Sequence, residues 1–184
     1  VTDCHADVTV KGSSATGGLA GWADNSVFTR CYATGTVTGT GWRIGGLAGK
    51  AVGCIITKCY ATGTVTGTVT GGKRYTGGLV GETEHCDITE CYATGAVTSA
   101  GWSTGGLAGD VRGCTITSCY ATGTVTGKSG HYGVGGLIGS ITDPSPYDSL
   151  ITACYAIGAV RGTNSVGGLV GIGADDTLVV CFWD

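Results

Sequence analysis

Methionine is absent from the 184-residue sequence, proline occurs only twice, and 12% of the residues are charged. A chain that begins at Val1 and has no methionine is not a primary translation product, so we expect a removed leader or a longer parent protein. The sparse charge, with a net value of −3, offers no basic surface for nucleic acid and no polybasic membrane signal. No run approaches the roughly 18 apolar residues that would cross a bilayer.

Glycine is the residue in excess, with 37 copies. Without proline or a three-residue period, this excess excludes collagen and a generic disordered linker. The glycines belong instead to a repeat, GGLxG, whose copies start 28, 32, 28, 30 and 32 residues apart: Gly17–Gly21, Gly45–Gly49, Gly77–Gly81, Gly105–Gly109, Gly135–Gly139 and Gly167–Gly171. One CYATGxVxG segment, or a close variant of it, stands between consecutive copies. Residues 1–184 are therefore interpreted as a single repeat domain without a capping domain.

Each repeat alternates β-branched and polar residues with a period of two, which is typical of short strands. The alternation slips near Thr57 and Lys58, as expected at a corner of the chain, and Gly63 is expected to allow a second bend. This pattern predicts an all-β fold, a parallel β-solenoid of about six coils with 28–32 residues per coil. A β-propeller is disfavoured because it needs about 40 residues per blade. Stacking would create three interior columns: Phe28, Ile56, Ile88, Ile116, Ile151 and Leu178; Val37, Val65, Val97, Val125 and Val160; and Leu19, Leu47, Leu79, Leu107, Leu137 and Leu169.

The GGLVG and CYATGxVxG segments together resemble the GLUG repeat of bacterial surface and secreted proteins, and the resemblance covers nearly the whole chain. GLUG repeats occur in large adhesin-like proteins and beside the catalytic domain of secreted immunoglobulin A metallopeptidases. The resemblance therefore implies a cell-surface or secreted protein. It implies no catalytic residues, because the repeat is not the catalytic part of those enzymes.

Ten cysteines, an even number, favour an oxidising compartment. They fall in two columns: Cys4, Cys31, Cys59, Cys91, Cys119, Cys154 and Cys181, and five residues upstream Cys54, Cys86 and Cys114, with Ser26, Ser149 and Asp176 in the other slots. Pairing across corners and between neighbouring coils predicts five disulfides: Cys4–Cys31, Cys54–Cys59, Cys86–Cys91, Cys114–Cys119 and Cys154–Cys181. The alternative is a reduced interior ladder in which cysteine acts as a small apolar residue. A zinc site is disfavoured because neither a CxxC spacing nor a companion histidine occurs.

Motifs for catalysis are lacking, since the sequence contains no HExxH, no GxSxG and no P-loop. We therefore expect no enzymatic activity, no cofactor and no metal. Two polar segments would suit a cation: GETEHCD, with Glu82, Glu84, His85 and Asp87, and DPSPYD, with Asp143 and Asp148. A polar loop between strands is the simpler interpretation of both.

Two groups of aromatic residues are predicted to face outward. The first is a structural ladder, close enough to stack: Tyr32, Tyr60, Tyr92, Tyr120 and Tyr155. The second lies along the edge that precedes GGLxG and would suit sugar stacking or protein contact: Trp42, Arg74, Tyr75, Trp102 and Tyr132. Partial burial against neighbouring coils is the alternative interpretation of this edge.

The sequence as a whole predicts a non-enzymatic extracellular structural module, either an adhesin stalk or the subunit of a surface filament. Neither end carries a cap over its open strand edges, so we expect head-to-tail self-association. One alternative is a module that binds glycans or host surface proteins through the aromatic edge. Another is an accessory repeat region of a secreted peptidase.

Overall fold

The computed structural model describes residues 1–68, 72, 74–128, 132–143, 148–173 and 177–184. In these residues every regular element is a β-strand, and the strands form five parallel sheets. Each sheet takes one strand from every successive coil, so the coils lie on top of one another. The chain is therefore a β-solenoid of about six turns, which confirms the predicted fold. In the described part, no helix has the length and hydropathy to span a membrane.

One coil passes through the five sheets in a fixed order, and each sheet is named here by a shared feature. The valine sheet contains Val10–Gly12, Val37–Gly39, Val65–Gly67, Val97–Ser99, Val125–Gly127 and Val160–Arg161. The glycine sheet contains Thr16–Gly17, Arg43–Gly45, Tyr75–Gly77, Ser103–Gly105, Gly133–Gly135 and Val166–Gly167. The long sheet contains Ala20–Asp24, Ala48–Val52, Val80–Glu84, Ala108–Arg112, Ile138–Ile141 and Val170–Ile172.

The coil then continues through the isoleucine sheet and the tyrosine sheet before the next valine strand begins. The isoleucine sheet contains Val27–Thr29, Ile55–Thr57, Asp87–Thr89, Thr115–Thr117, Leu150–Thr152 and Thr177–Val179. The tyrosine sheet contains His5–Ala6, Tyr32–Ala33, Tyr60–Ala61, Tyr92–Ala93, Tyr120–Ala121, Tyr155–Ala156 and Phe182–Trp183. Because the pairing is parallel and in register, identical repeat positions face each other along the stack.

The corner between the isoleucine and tyrosine sheets lies where the sequence alternation slips. Lys58 has a φ of +55°, and the equivalent Glu90 and Ser118 both have a φ of +54°. A left-handed residue turns the chain, and here it follows directly after a three-residue strand. The predicted corner is confirmed. A second left-handed corner, at His85 and its equivalents before the isoleucine strands, was not predicted.

The chain bends at Gly63, between the tyrosine and valine sheets, as predicted, but the glycine is required there for another reason. Gly63 does not lie in the left-handed region, so it is not needed for its conformational freedom. A Cβ atom at this position would collide with the carbonyl oxygen of Gly35 in the preceding coil, and Gly95 stands in the same relation to Gly63. The glycine is required because the backbones of neighbouring coils approach each other closely here.

The interior consists of two apolar cores. The larger one lies between the long, isoleucine and tyrosine sheets and contains the leucine and isoleucine columns, the alanines of the tyrosine sheet and the inward cysteines. The smaller one lies between the valine and glycine sheets and contains Val37, Ile44, Val65 and Val97. The predicted columns are in register, as the pairs Ile56–Ile88 and Val65–Val97 illustrate. Leu178, in the last coil, is 47% exposed because no further coil covers it in the described chain.

Candidate functional site

Two rows of residues, most of them polar, face each other on the flank where the glycine sheet lies against the long sheet. The row of the long sheet contains, coil by coil, Trp22, Lys50, Glu82, Asp110, Ser140 and Ile172. The row of the glycine sheet contains Arg43, Tyr75, Ser103 and Gly133. Strand register within each sheet and the contact between the two sheets together gather residues from four coils into one cluster.

Glu82 and Asp110 form the buried centre of this cluster, and both are fully inaccessible to solvent. The two acids are direct neighbours in the stack, so in-register pairing places like charges side by side. Arg112 compensates both, with Nη1 at 3.1 Å from Glu82 Oε1 and Nη2 at 2.8 Å from Asp110 Oδ2. Arg43 donates to Glu82 Oε2, and Lys50 Nζ lies 3.6 Å from Glu82 Oε1.

The guanidinium of Arg112 is fully occupied by protein groups. Its Nη1 donates to Glu84 Oε1 at 3.0 Å and its Nη2 to the hydroxyl of Tyr75 at 3.0 Å. Its Nε donates to the hydroxyl of Thr142 at 3.1 Å. A second cation, Lys50, binds the other oxygen of Glu84 at 2.8 Å. The cluster thus holds three carboxylates and three cations, and its formal charge is balanced.

The carboxylates of the cluster respond differently to burial. Burial raises the pKa of Asp110, although Ser140 donates to its Oδ1 at 2.6 Å and Arg112 lies nearby. Burial also acts to raise the pKa of Glu84, but hydrogen bonds from Lys50 and Arg112 outweigh it and hold this pKa below the ordinary value. The difference follows from depth, since Glu84 is partly exposed whereas Asp110 is not.

An open cleft of about 510 Å³ lies beside the cluster. Three aromatic side chains, Tyr75, Trp102 and Tyr132, line it together with the polar groups of the two rows. Ser103 is among the latter, and its hydroxyl lies 2.8 Å from that of Ser140. The cleft therefore combines aromatic surface with hydroxyl, carboxylate and guanidinium groups.

Four of the five residues predicted for the aromatic edge stand in one column of successive coils, named here the aromatic rim: Trp42, Arg74, Trp102 and Tyr132. Trp42 and Tyr132 are 55% and 56% exposed, and the rings of Trp102 and Tyr132 lie 5.1 Å apart at an angle of 60°. Tyr75, the fifth, follows Arg74 in the chain and is instead buried against Arg112. Trp102 and Tyr132 of the rim line the cleft, and Trp42 and Arg74 continue the rim into the preceding coils.

Sequence reasoning did not find the buried cluster or Trp22. Trp22 is 61% exposed and lies under two cations, 5.3 Å from Lys50 Nζ and 5.9 Å from the guanidinium carbon of Arg43. A signal was present, because Trp22, Lys50, Glu82 and Asp110 occupy the same position of the repeat and none of the four is a small apolar residue. A polar column at that position indicates a flank that is not core.

The tyrosine ladder has the predicted geometry. Successive tyrosine rings lie 4.8–4.9 Å apart and are within 5° of parallel. His5 and Phe182 extend the stack at either end, at 4.9 Å and 5.2 Å. These two were not predicted, although the degenerate segments CHAD and CFWD place them at the tyrosine position. The ladder is a continuous stack of seven rings on the outside of the tyrosine sheet.

The cysteines are thiols in this structure, which describes all ten of them. None of the five predicted disulfides, Cys4–Cys31, Cys54–Cys59, Cys86–Cys91, Cys114–Cys119 and Cys154–Cys181, is formed in it. The three corner pairs are corrected on geometric grounds, because the strand Ile55–Thr57 and its equivalents separate the two cysteines by about 10 Å of extended chain. Cysteines instead contact their equivalents in the next coil: the amide of Cys59, for example, donates to the sulfur of Cys91 at 3.3 Å. Asp176, expected in the second column, lies outside the described residues.

We expect alkylation to distinguish the two ends of the cysteine columns from their centre. Eight cysteines are buried, whereas Cys4 is exposed and Cys181 is partly exposed. Burial raises the pKa of the Cys54 thiol, and a hydrogen bond to Cys91, together with burial, raises that of Cys59. Iodoacetamide should therefore label Cys4 and Cys181 in the native protein and all ten in urea, as read by peptide mass spectrometry. Failure of the unreduced, unfolded chain to react at any of the ten positions would restore the disulfide interpretation.

The two candidate cation segments are used differently by the fold. In GETEHCD, Glu82 and Glu84 belong to the ion cluster, and Asp87 is exposed on the isoleucine sheet. In DPSPYD, Asp143 accepts hydrogen bonds from the amide of Gly113, at 2.7 Å, and from Ser149, while residues 144–147 lie outside the described part. Among the described residues, no group of three or more His, Cys, Asp or Glu side chains is placed to hold a metal ion.

Comparison with known proteins identifies the repeat. A family defined by the GLUG motif matches residues 12–38, 40–66, 72–98 and 100–126, four tandem copies that cover more than half of the chain. No curated protein and no solved structure gives a significant match. Each matched segment begins shortly before a glycine-sheet strand and ends within the next valine strand, so one motif corresponds to one full coil.

Proposed function

Because the chain belongs to the GLUG-motif family, we propose that it is a non-enzymatic structural module of an extracellular protein, either the stalk of an adhesin or the subunit of a surface filament. The observation that supports this proposal is the register of the stack. In all five sheets, each coil pairs with the next at identical repeat positions. Such a stack lengthens by about 4.8 Å for each added coil without any change in its cross-section.

The ends of the stack provide the means of extension. Within each sheet, an interior strand pairs through its backbone with a strand on both sides. The outermost strand of each sheet pairs on one side in the described chain, so its other edge can accept a further strand. A coil of the same repeat would continue each sheet in register, whether it came from the same polypeptide or from a second copy. Repetition of this contact gives a head-to-tail rod, which does not close on itself.

Electron microscopy of the purified chain at increasing concentration tests self-assembly. We expect unbranched filaments, and we expect Phe182→Lys to suppress them because it places a charge on the end face of the stack, where Phe182 is 55% exposed. The matched control is Ile55→Lys, which places the same charge on the side of the rod, where Ile55 is 46% exposed. Short monodisperse rods at every concentration would exclude a filament subunit as the function and leave the adhesin stalk as the remaining structural role.

A second function, recognition of a glycan or a host surface protein, is favoured by one specific observation. Tyr75, Trp102 and Tyr132 line the same cleft on the flank of the rod, beside the ion cluster. This binding flank is compatible with a structural role, because it leaves the strand edges at both ends free to stack. An extracellular location would expose it to such partners.

A further inference from the structure

We propose that the aromatic rim and the adjoining cleft bind a neutral oligosaccharide that lies along the axis of the solenoid. This inference rests on the binding flank proposed above and adds to it the class of the ligand and its direction. Four features support it: the exposed rings, the hydroxyl groups, the balanced charge and the spacing of the coils.

The aromatic rim offers ring faces to solvent beside polar groups. Trp42 and Tyr132 are more than half exposed, although large aromatic side chains are normally buried. Trp102 and Tyr132 are tilted at 60°, so together they form a bent platform rather than a single stack. The C–H groups on one face of a pyranose ring pack against such platforms, while the hydroxyl groups of the sugar point to the side.

The hydroxyl groups of the cleft match a ligand that both donates and accepts hydrogen bonds. The Ser103 and Ser140 hydroxyls form a chain that ends on Asp110. The hydroxyl of Tyr75 accepts a hydrogen bond from Arg112, so its own proton is available to a ligand. Sugar hydroxyls supply donors and acceptors within a single group, as these side chains do.

The charge of the cluster favours a neutral ligand over an anionic one. Arg112 lines the cleft, but its donors are taken by Glu84, Asp110, Tyr75 and Thr142. Three carboxylates face three cations, so the cluster carries no net charge that would attract an ionic group. The rim adds one cation, Arg74, whose Nη1 donates to the carbonyl oxygen of Thr40 at 3.2 Å. An acidic group that bound Arg112 or Lys50 would have to displace ion pairs that are partly or wholly buried, and the displaced carboxylates would be left uncompensated.

The spacing of the coils sets the direction. The rim repeats once per coil, so Trp42 and Trp102, two coils apart, are separated by about 10 Å along the axis. That separation is comparable to the length of two linked pyranose rings. An oligosaccharide parallel to the axis would therefore meet rim residues in successive coils, whereas one lying across the axis would meet only one.

A glycan array that holds neutral and anionic oligosaccharides, followed by calorimetric titration with the bound series, tests the inference. We expect binding of a neutral series, with an affinity that increases with chain length and changes little with salt. Trp102→Ala should weaken it roughly tenfold or more, as loss of a central aromatic contact does. Trp42→Ala should weaken long oligosaccharides but not short ones. Trp183→Ala, which removes a tryptophan that is 65% exposed on the tyrosine sheet, should leave the affinity unchanged.

Other outcomes separate the inference from the binding flank on which it rests. Each variant is first shown to keep the melting temperature of the parent chain. Binding of anionic oligosaccharides alone, or of no neutral oligosaccharide, would overturn the inference, as would equal losses for short and long ligands in Trp42→Ala. If a host surface protein bound instead and Trp102→Ala abolished that binding, the result would support the binding flank and exclude the oligosaccharide as its ligand. Binding unaffected by Trp102→Ala would overturn both.

Discussion

Replacing Gly109 by alanine is expected to destabilise the protein by about 3 kcal/mol or more. Gly109 is the last glycine of a GGLxG motif and lies where the long sheet touches the glycine sheet. A Cβ atom there would be 2.5 Å from the carbonyl oxygen of Gly81, 2.5 Å from the amide nitrogen of Thr76 and 2.9 Å from the carbonyl carbon of Tyr75. All three are backbone atoms held in ladders, so they cannot turn away as a side chain can. Urea unfolding followed by circular dichroism gives the change.

The matched control for this variant is Gly67→Ala. Gly67 also lies in a strand, but the atoms nearest to a new Cβ there are the hydroxyls of Ser99 and Thr76, each at 2.9 Å. Ser99 occupies the same repeat position in the next coil and already carries a side chain. We therefore expect a change within about 1 kcal/mol. Equal effects of the two substitutions would contradict the close approach of the sheets at GGLxG.

Replacing Arg112 by methionine is expected to cost about 3–5 kcal/mol at neutral pH, because it leaves Glu82 and Asp110 buried beside each other without their shared cation. Burial already raises the pKa of Asp110, and loss of Arg112 would raise it further. A carboxyl whose pKa is higher in the folded than in the unfolded state destabilises the fold above that pKa. The loss should therefore shrink as the pH falls through the raised pKa toward the ordinary carboxyl value.

Arg30→Met is the control for the loss of an arginine. Arg30 pairs with Asp3 at 2.6 Å, but the two side chains are 55% and 60% exposed, so water replaces the contact. We expect no measurable change in the free energy of unfolding. Adding Asp110→Asn to Arg112→Met should recover part of the stability, because it removes one uncompensated charge. A loss from Arg112→Met that is independent of pH would show that packing, not charge, is its main cause.

Most of the fold could be predicted from the repeat, because in-register stacking gives every repeat position a single environment. The valine, leucine and isoleucine columns and the tyrosine ladder follow from this rule alone. The corner at Lys58 was visible because a lysine broke an alternating pattern. The bend at Gly63 was also predicted, but the sequence marks a glycine without showing whether conformation or space requires it.

The candidate site was only partly predictable for a related reason. The column Trp42, Arg74, Trp102 and Tyr132 follows from the repeat, but the ion cluster depends on two sheets lying against each other. The sequence does not show that Arg112 contacts Asp110 in its own strand, Glu82 in the preceding coil and Tyr75 in the neighbouring glycine sheet. The predicted pairing of Cys54 with Cys59 is absent for a similar reason, because the length of the strand between them decides whether the two sulfur atoms can meet.

The structural proposal concerns the two ends of the solenoid, and the binding proposal concerns its flank. Stacking uses the strand edges, which every coil provides equally. The flank is the place where the coils differ, because Lys50, Glu82, Asp110 and Ser140 occupy equivalent positions with different chemistry. The backbone stack is therefore uniform, whereas the side chains on the flank of these four coils form the ion cluster and the cleft.

Interstrand nuclear Overhauser effects measured on the labelled protein show whether equivalent residues of successive coils are stacked in parallel register. Parallel stacking in register predicts backbone cross-peaks between Val65 and Val97 and between Ile56 and Ile88, each pair one coil apart. Strong Hα–Hα cross-peaks between neighbouring strands of the same repeat, the signature of antiparallel pairing, would contradict it.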